Sequence, residues 1–269
     1  MAKKILFLGG GNMAEGIIGG LIMNKVFEPE NIMVSDVIDA RLAYLEQTYS
    51  IKTTKDTLKE AETADIIFLA VRPQNAEEAC RPLKAVLESR NDVLVISIIS
   101  STDLAKLADF VGDKKIVRVM PNTLIKAQEG YSAACINKNI EEEDKKDISA
   151  VLDAIGQTMY IDESMFDTFT AYGCAGPLFV YYLIHAMIEA GVYNGFSRKE
   201  SYDMTIKNVI GAGKMMEATG KHPLQIVDTM TSPGGVGIEE LQSLEESGFQ
   251  GIVMKAMKEG VEKATRMGK

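Results

Sequence analysis

The sequence predicts an α/β chain in two parts: a doubly wound, mostly parallel sheet wrapped by helices over residues 1–163, then an all-helical domain over 164–269. Three observations carry this. Short, nearly continuous apolar runs alternate with helix-period segments in the first part, as strands covered on both faces require. A glycine-rich turn follows the first run and opens a helix. Beyond Asp162 the strand-like runs stop and long helical patterns with few turn signals take over.

Taken in order, the runs are "KILFLG" (4–9), "IMVSD" (32–36), "DIIFLAV" (65–71), "DVLVISII" (92–99), "KIVRVM" (115–120) and "YSAACI" (131–136). Each is short, rich in β-branched residues and bounded by turn formers. "NIEEEDKKDISAVLDAIG" (139–156) reads as an amphipathic helix with acids in its first turn and a glycine stop. The domain boundary is expected at 162–164. Thr168 to Ile188 carries no formal charge with His185 neutral and is long enough to span a bilayer, but Gly173, Gly176 and Pro177 interrupt it and Glu189 follows. A helix apolar on all sides is what a buried core or a subunit interface looks like, so no membrane span is expected and an oligomer is.

A formal charge of −9 argues against a nucleic-acid partner or an anionic membrane surface, both of which need clustered basic residues. Cys80, Cys135 and Cys174 are odd in number and widely spaced, so neither a disulfide framework nor a metal site is indicated. "MAKKILFLGGG" has too short an apolar run for an export signal, and a cytoplasmic location is expected.

In "FLGGGNMAEG", Gly9, Gly11 and Ala14 fit the dinucleotide fingerprint of a Rossmann-type domain. Gly9 permits the tight turn, Gly11 lets backbone approach a pyrophosphate, and Ala14 lets helix and strand pack closely. The helix start, through Asn12 and Met13, offers N–H donors and partial positive charge to the phosphates. Asp36 ends the second strand about twenty residues on, where a carboxylate accepts hydrogen bonds from ribose hydroxyls and repels a 2′-phosphate; NADH is therefore preferred weakly over NADPH. Arg41 nearby is the residue through which a phosphate would still be accommodated. Ala70, Val71, Arg72 and Pro73 lie at the sheet's carboxyl edge, where ligands of such folds bind. Asn122 in "MPNT" has two readings, orienting a nicotinamide carboxamide or holding a turn.

A dinucleotide domain delivers hydride, which leaves the acceptor open. Neither His185 nor His222 has the setting of a nucleophilic triad. A β-hydroxyacid dehydrogenase would need a lysine where Tyr182 stands and a glycine where Leu178 stands. A protonated imine, already electrophilic, needs mainly to be held against the nicotinamide.

Five blocks then carry a resemblance over essentially the whole chain: "GGGNMAEG", "FLAVRPQ", "VRVMPNT" with "EGYSA", "GPLFVYYLIHAMIEAGV", and "HPLQIVDTMTSPGGVGIEELQSLEESGF". Together they resemble the pyrroline-5-carboxylate reductase family. The resemblance implies reduction of 1-pyrroline-5-carboxylate to L-proline with NADH or NADPH, the last step of proline biosynthesis. It also implies a homodimer interlocked through the C-terminal helices and assembling further into a decamer. The substrate carboxylate would be gripped by Ser232, Gly234, Gly235, Val236 and Gly237, largely through backbone N–H groups.

The chain departs from the family in places. Gly237 stands where the family has a threonine proposed to hydrogen-bond the imine nitrogen, so only its backbone would serve, and if that hydroxyl matters Gly237→Thr should be faster. "GCAGPLF" replaces a more polar Ser-Gly-Ser-Gly-Pro-Ala-Tyr, Thr57 replaces an asparagine near the adenosine, and Leu124 replaces a proline. These changes leave two alternatives: a paralogue reducing another small cyclic imino acid, and a dinucleotide-binding protein with little catalytic activity.

Overall fold

The computed structural model describes residues 3–268. The first part is a sheet of eight strands among the described residues: β1 (Ile5–Leu8), β2 (Ile32–Ser35), β3 (Lys52–Thr54), β4 (Ile66–Leu69), β5 (Leu94–Ser97), β6 (Lys115–Met120), β7 (Tyr131–Ile136) and β8 (Gln157–Tyr160). Their spatial order is β3-β2-β1-β4-β5-β6-β7-β8, and every pairing is parallel except β6 with β7. The order reverses at β1, the switch point beside which dinucleotides bind in such sheets. The helices between strands are α1 (Asn12–Met23), α2 (Asp39–Tyr49), α3 (Thr57–Ala61), α4 (Ala76–Cys80), α5 (Pro82–Leu87), α6 (Leu104–Val111) and α7 (Asp144–Asp153).

Alternate residues of each strand feed two apolar layers, as the period of two demands. Ile5, Phe7, Ile66, Phe68, Leu94, Ile96, Val117 and Val119 pack against Ile17, Ile18 and Leu21 of α1 and Ile148 and Val151 of α7. On the other face Leu6, Leu8, Ile67, Leu69, Val93, Val95 and Ile116 meet Leu83, Leu87, Leu107 and Phe110. The Phe7 and Phe68 rings stack at 4.8 Å in the first layer. Burial on both sides is why these strands read as unbroken apolar runs.

Two strands carry no such signal. β3 ("KTT") and β8 ("QTMY") are the sheet's edges, short, polar and half-exposed. The helix expected over 139–156 spans Asp144–Asp153. Side chains claim the preceding segment: Asn137 Oδ1 accepts from the N–H of Ile116 at 3.1 Å, and Asp144 Oδ2 from that of Glu141 at 2.8 Å. Such local bonds compete with helix formation.

After β8 come α8 (Phe166–Phe169), a π-helical turn over Thr170–Cys174, and α9 (Pro177–Tyr193), α10 (Arg198–Thr219), α11 (Pro223–Asp228), α12 (Val236–Glu246) and α13 (Phe249–Gly268). The chain divides into two compact units, one running up to Ala175 and resuming at Val261, the other Gly176–Gly260. The first unit thus continues past the expected boundary at 163. Phe166 and Phe169 seal an apolar cluster with Met120, Ala133 and Cys135, and Glu163 accepts hydrogen bonds from Arg118 at 2.9 Å and the Leu104 N–H at 2.8 Å.

In the second unit, Ser197 and Glu200 form a reciprocal capping box that starts α10. Gly220, at φ +60°, stops it in the left-handed conformation that favours glycine. The apolar helix α9 has no buried residue within this chain, so it is not a core helix of its own subunit.

Candidate active site

The fingerprint loop lies at the carboxyl ends of β1 and β4. Gly9 has φ +100°, and its N–H donates to the Ser35 carbonyl at 2.8 Å. A Cβ there would sit 2.7 Å from the Ala70 carbonyl oxygen, so β4's end leaves no room for any other residue. Gly9→Ala is therefore expected to abolish NADH binding in a fluorescence titration and to lower the melting temperature. Around Gly11 the opposite holds, since a Cβ would meet nothing within 4 Å. Gly11 caps α1 with no side-chain bond to the helix. The first-turn N–H groups, at Asn12, Met13 and Ala14, have no intrahelical partner, and Asn12 is exposed at the switch point. A pyrophosphate fits this arrangement of donors. Ala14 is buried, as close packing of α1 requires.

Asp36 holds the loop as well as facing it. Its Oδ2 accepts from the Gly10 N–H at 2.8 Å and its Oδ1 from the Ile38 N–H at 3.0 Å. Each oxygen keeps a lone pair for a ribose hydroxyl. Val37 and Ile38 beside it are exposed, at 88% and 58%, and add no cation. Arg41 is engaged within the chain. Its Nε donates to the Gly10 carbonyl, and an η-nitrogen reaches Glu15 at 2.6 Å and the Gly11 carbonyl at 3.3 Å. Thr57 shares a hydrogen bond with Ser35 at the end of β2, which ties its hydroxyl to the sheet. Ala70 and Val71 are half-buried, and its N–H ties Ala70 to Leu8 at 2.9 Å. Arg72 is exposed, and Pro73 opens a short 3-10 turn over Pro73–Asn75.

Of the two readings of Asn122, the structure gives its side chain to the turn. It is 3% exposed. Its Oδ1 accepts from the N–H groups of Leu124 at 3.1 Å and Tyr131 at 3.4 Å, and its Nδ2 donates to Gly173 at 3.2 Å. The amide thus clamps the π-helical turn to the end of β6. Cys174, from the same turn, donates to the Pro121 carbonyl at 3.4 Å. The only sequence hint of the turn is Gly173, where a Cβ would strike the Phe169 ring.

The break "TSPGGVG" lies in the second unit. Ser232 to Gly235 form a type II turn: the Gly235 N–H donates to the Ser232 carbonyl at 3.0 Å, Pro233 takes the first corner, and Gly234 takes the second at φ +67°. Gly235 then caps α12 without a side-chain partner. Its own N–H is spent in the turn, so it is not one of the free donors expected there. The uncapped first-turn donors are those of Val236, Gly237 and Ile238, the last of which sequence reading missed. The Ser232 hydroxyl is exposed beside them. Gly237 has no space for the side chain it replaces: a Cβ would overlap the Met230 carbonyl oxygen, with the Thr231 Cα at 3.9 Å.

Among the described residues, neither histidine nor any cysteine is set up as a catalytic group. His222 caps α11, its Nδ1 accepting from the Leu224 N–H at 3.3 Å. His185 is largely exposed, 4.0 Å from Glu189. Burial pushes the Cys80 and Cys135 thiols up to about 12 and raises that of Cys174, so none serves as a thiolate nucleophile. What remains is a pair of helix starts without side-chain caps, one at the dinucleotide fingerprint and one behind a serine-proline-glycine turn.

Known proteins resemble this chain over its full length. A family model described as pyrroline-5-carboxylate reductase dimerisation matches residues 163–267, and one described as NADP oxidoreductase, coenzyme F420-dependent, matches residues 4–101. Pyrroline-5-carboxylate reductase of Synechocystis is 32% identical over 100% of both chains. That of Escherichia coli is 34% identical, again over 100% of both. The crystal structure of the Plasmodium falciparum pyrroline carboxylate reductase with NADP bound is 31% identical, covers 99% of this chain and 98% of its own, and superposes with a TM-score of 0.89. The Coxiella burnetii enzyme gives a TM-score of 0.92 at 28% identity, with 100% of both chains covered. On fold, motifs and full-length identity, the chain belongs to the pyrroline-5-carboxylate reductase family.

Proposed function

We infer that this chain reduces 1-pyrroline-5-carboxylate to L-proline at the expense of NADH or NADPH, the closing step of proline biosynthesis. The observation that carries the reading is the Ser232–Gly237 turn, which presents uncapped helix donors to a small anion.

The bound nicotinamide supplies the hydride. The chain's residues bind and orient. N–H groups at Gly11, Asn12, Met13 and Ala14 hold the pyrophosphate, Asp36 holds the adenosine ribose, and Ala70 to Pro73 border the nucleotide along the sheet edge. Asn122 keeps the turn behind Gly173 in place. Ser232 and the N–H groups of Val236, Gly237 and Ile238 hold the substrate carboxylate. The imine nitrogen brings its own proton from solution, which is why a site with no histidine or hydroxyl at the reacting centre suffices.

NADH is the preferred coenzyme in this reading, because Asp36 repels a 2′-phosphate and Arg41 is engaged with Glu15. The C-terminal helices form a homodimer, which assembles further into a decamer, and the exposed apolar surface of α9 supports the first of these steps.

The test is a steady-state assay with each coenzyme, against the five-membered imino acid and its six-membered homologue, with proline identified as product. Turnover of the five-membered ring with higher kcat/KM for NADH is expected. No coenzyme oxidation with either ring would overturn the reading, and clear preference for the larger ring would reassign the substrate.

A further inference from the structure

Glu15 and Arg41, from α1 and α2, form a 2.6 Å ion pair whose side chains are only 14% and 21% exposed. The Glu15 carboxylate is crowded with donors: Oε1 accepts from the hydroxyls of Tyr44 at 3.0 Å and Tyr49 at 3.3 Å, while Oε2 faces the guanidinium. The guanidinium lies over the Tyr44 ring at 5.1 Å. Burial alone would raise the Glu15 carboxyl, but the bonds from Arg41 and Tyr44 and the charges of Arg41 and Lys126 outweigh it and hold it ionised.

The pair bears directly on the fingerprint loop. Asp36 takes the Gly10 N–H while Arg41 takes the Gly10 carbonyl, so one residue of the loop is gripped from both sides. In a trans peptide the N–H of the next residue points opposite to that carbonyl, so Arg41's hold on the Gly10 carbonyl also fixes the direction of the Gly11 N–H. The same contacts hold the guanidinium over the loop that Asp36 also grips.

We propose that Glu15 is a specificity-determining residue for the coenzyme: it withholds Arg41 from the 2′-phosphate position by pairing it over the glycine loop. Without Glu15's charge, the Arg41 guanidinium keeps only the loop carbonyls as polar partners and its charge is left to pair with a phosphate on the ribose. This rests on the inferred preference for NADH.

The test measures equilibrium dissociation constants of NADH and NADPH by fluorescence for the parent protein, Glu15→Gln, Arg41→Ala and the double variant. Glutamine keeps an acceptor for the two tyrosines while removing the charge, and melting curves verify that each variant folds. The expected result is that Glu15→Gln shifts the affinity ratio toward NADPH by about tenfold, the scale of one charge-assisted bond to a phosphate, and that the double variant loses the shift. An unchanged ratio in Glu15→Gln overturns the proposal. So does a selective loss of NADPH affinity in Arg41→Ala alone, since Arg41 would then already hold the phosphate. The parent ratio separates the two readings: a parent that favours NADPH ends the inferred coenzyme preference, while the shift in Glu15→Gln is judged on its own.

Discussion

Gly237→Thr is expected to slow the enzyme rather than speed it. From sequence, Gly237 is a missing hydroxyl, and restoring the hydroxyl looks like a gain. In the structure the space for that side chain is filled by the main chain: a Cβ on this second residue of α12 overlaps the Met230 carbonyl oxygen. A carbonyl oxygen cannot rotate aside as a side chain can, so either α12 or the segment from Met230 must move. Both carry the proposed carboxylate grip. Overpacking of this kind costs about 1–3 kcal/mol. If it displaces the donors by that measure, kcat/KM falls by about tenfold or more, mainly through KM for the imino acid. Gly237→Ala separates the two effects. It adds the clash without the hydroxyl, so the threonine-to-alanine ratio isolates what the hydroxyl contributes. Both variants should fall below the parent in kcat/KM and in melting temperature. A threonine variant faster than the parent would show that the loop yields at little cost.

What sequence could show followed from how local each signal was. The six inner strands are covered on both faces, so their burial is written into continuous apolar runs, whereas β3 and β8 lie at the edges and carry polar residues with no period. The fingerprint glycines and Asp36 were legible because the turn and the strand end are local constraints. The pairing of Arg41 with Glu15 and the Gly10 carbonyl was not, because it depends on how α2 lies across the start of α1. Asn122 shows a third case: an asparagine after a strand serves a ligand or a turn equally well in sequence, and only its partners at Leu124, Tyr131 and Gly173 decide. In the same way "PGG" announced a turn, but not that one of its donors would be consumed in closing it.

Leu178→Glu combined with Tyr182→Glu is expected to convert the protein to monomers. The two side chains are four residues apart on one face of α9 and are 66% and 76% exposed within the chain, with Tyr181 at 58% and Tyr193 at 91% nearby. A helix of 17 residues with none buried, and with this much apolar and aromatic surface, is not a stable exterior in water. Because both side chains point to solvent within the chain, substituting them leaves its internal packing untouched, and circular dichroism should be unchanged. Two carboxylates per subunit facing an apolar partner would instead remain unpaired after burial, which costs several kcal/mol each and exceeds what a dimer of ordinary affinity can absorb. Sedimentation velocity at micromolar protein should show a single monomeric species, with a lower melting temperature and activity reduced with it. Three results discriminate the uses of this helix. Loss of the oligomer with retained helicity assigns the face to a second copy. An unchanged sedimentation coefficient places the oligomer contact elsewhere. Co-sedimentation of the parent with lipid vesicles, abolished by the double variant, would assign the same apolar surface to a bilayer; α9 lies within Glu163–Tyr193, a stretch long and apolar enough to cross one by length and composition.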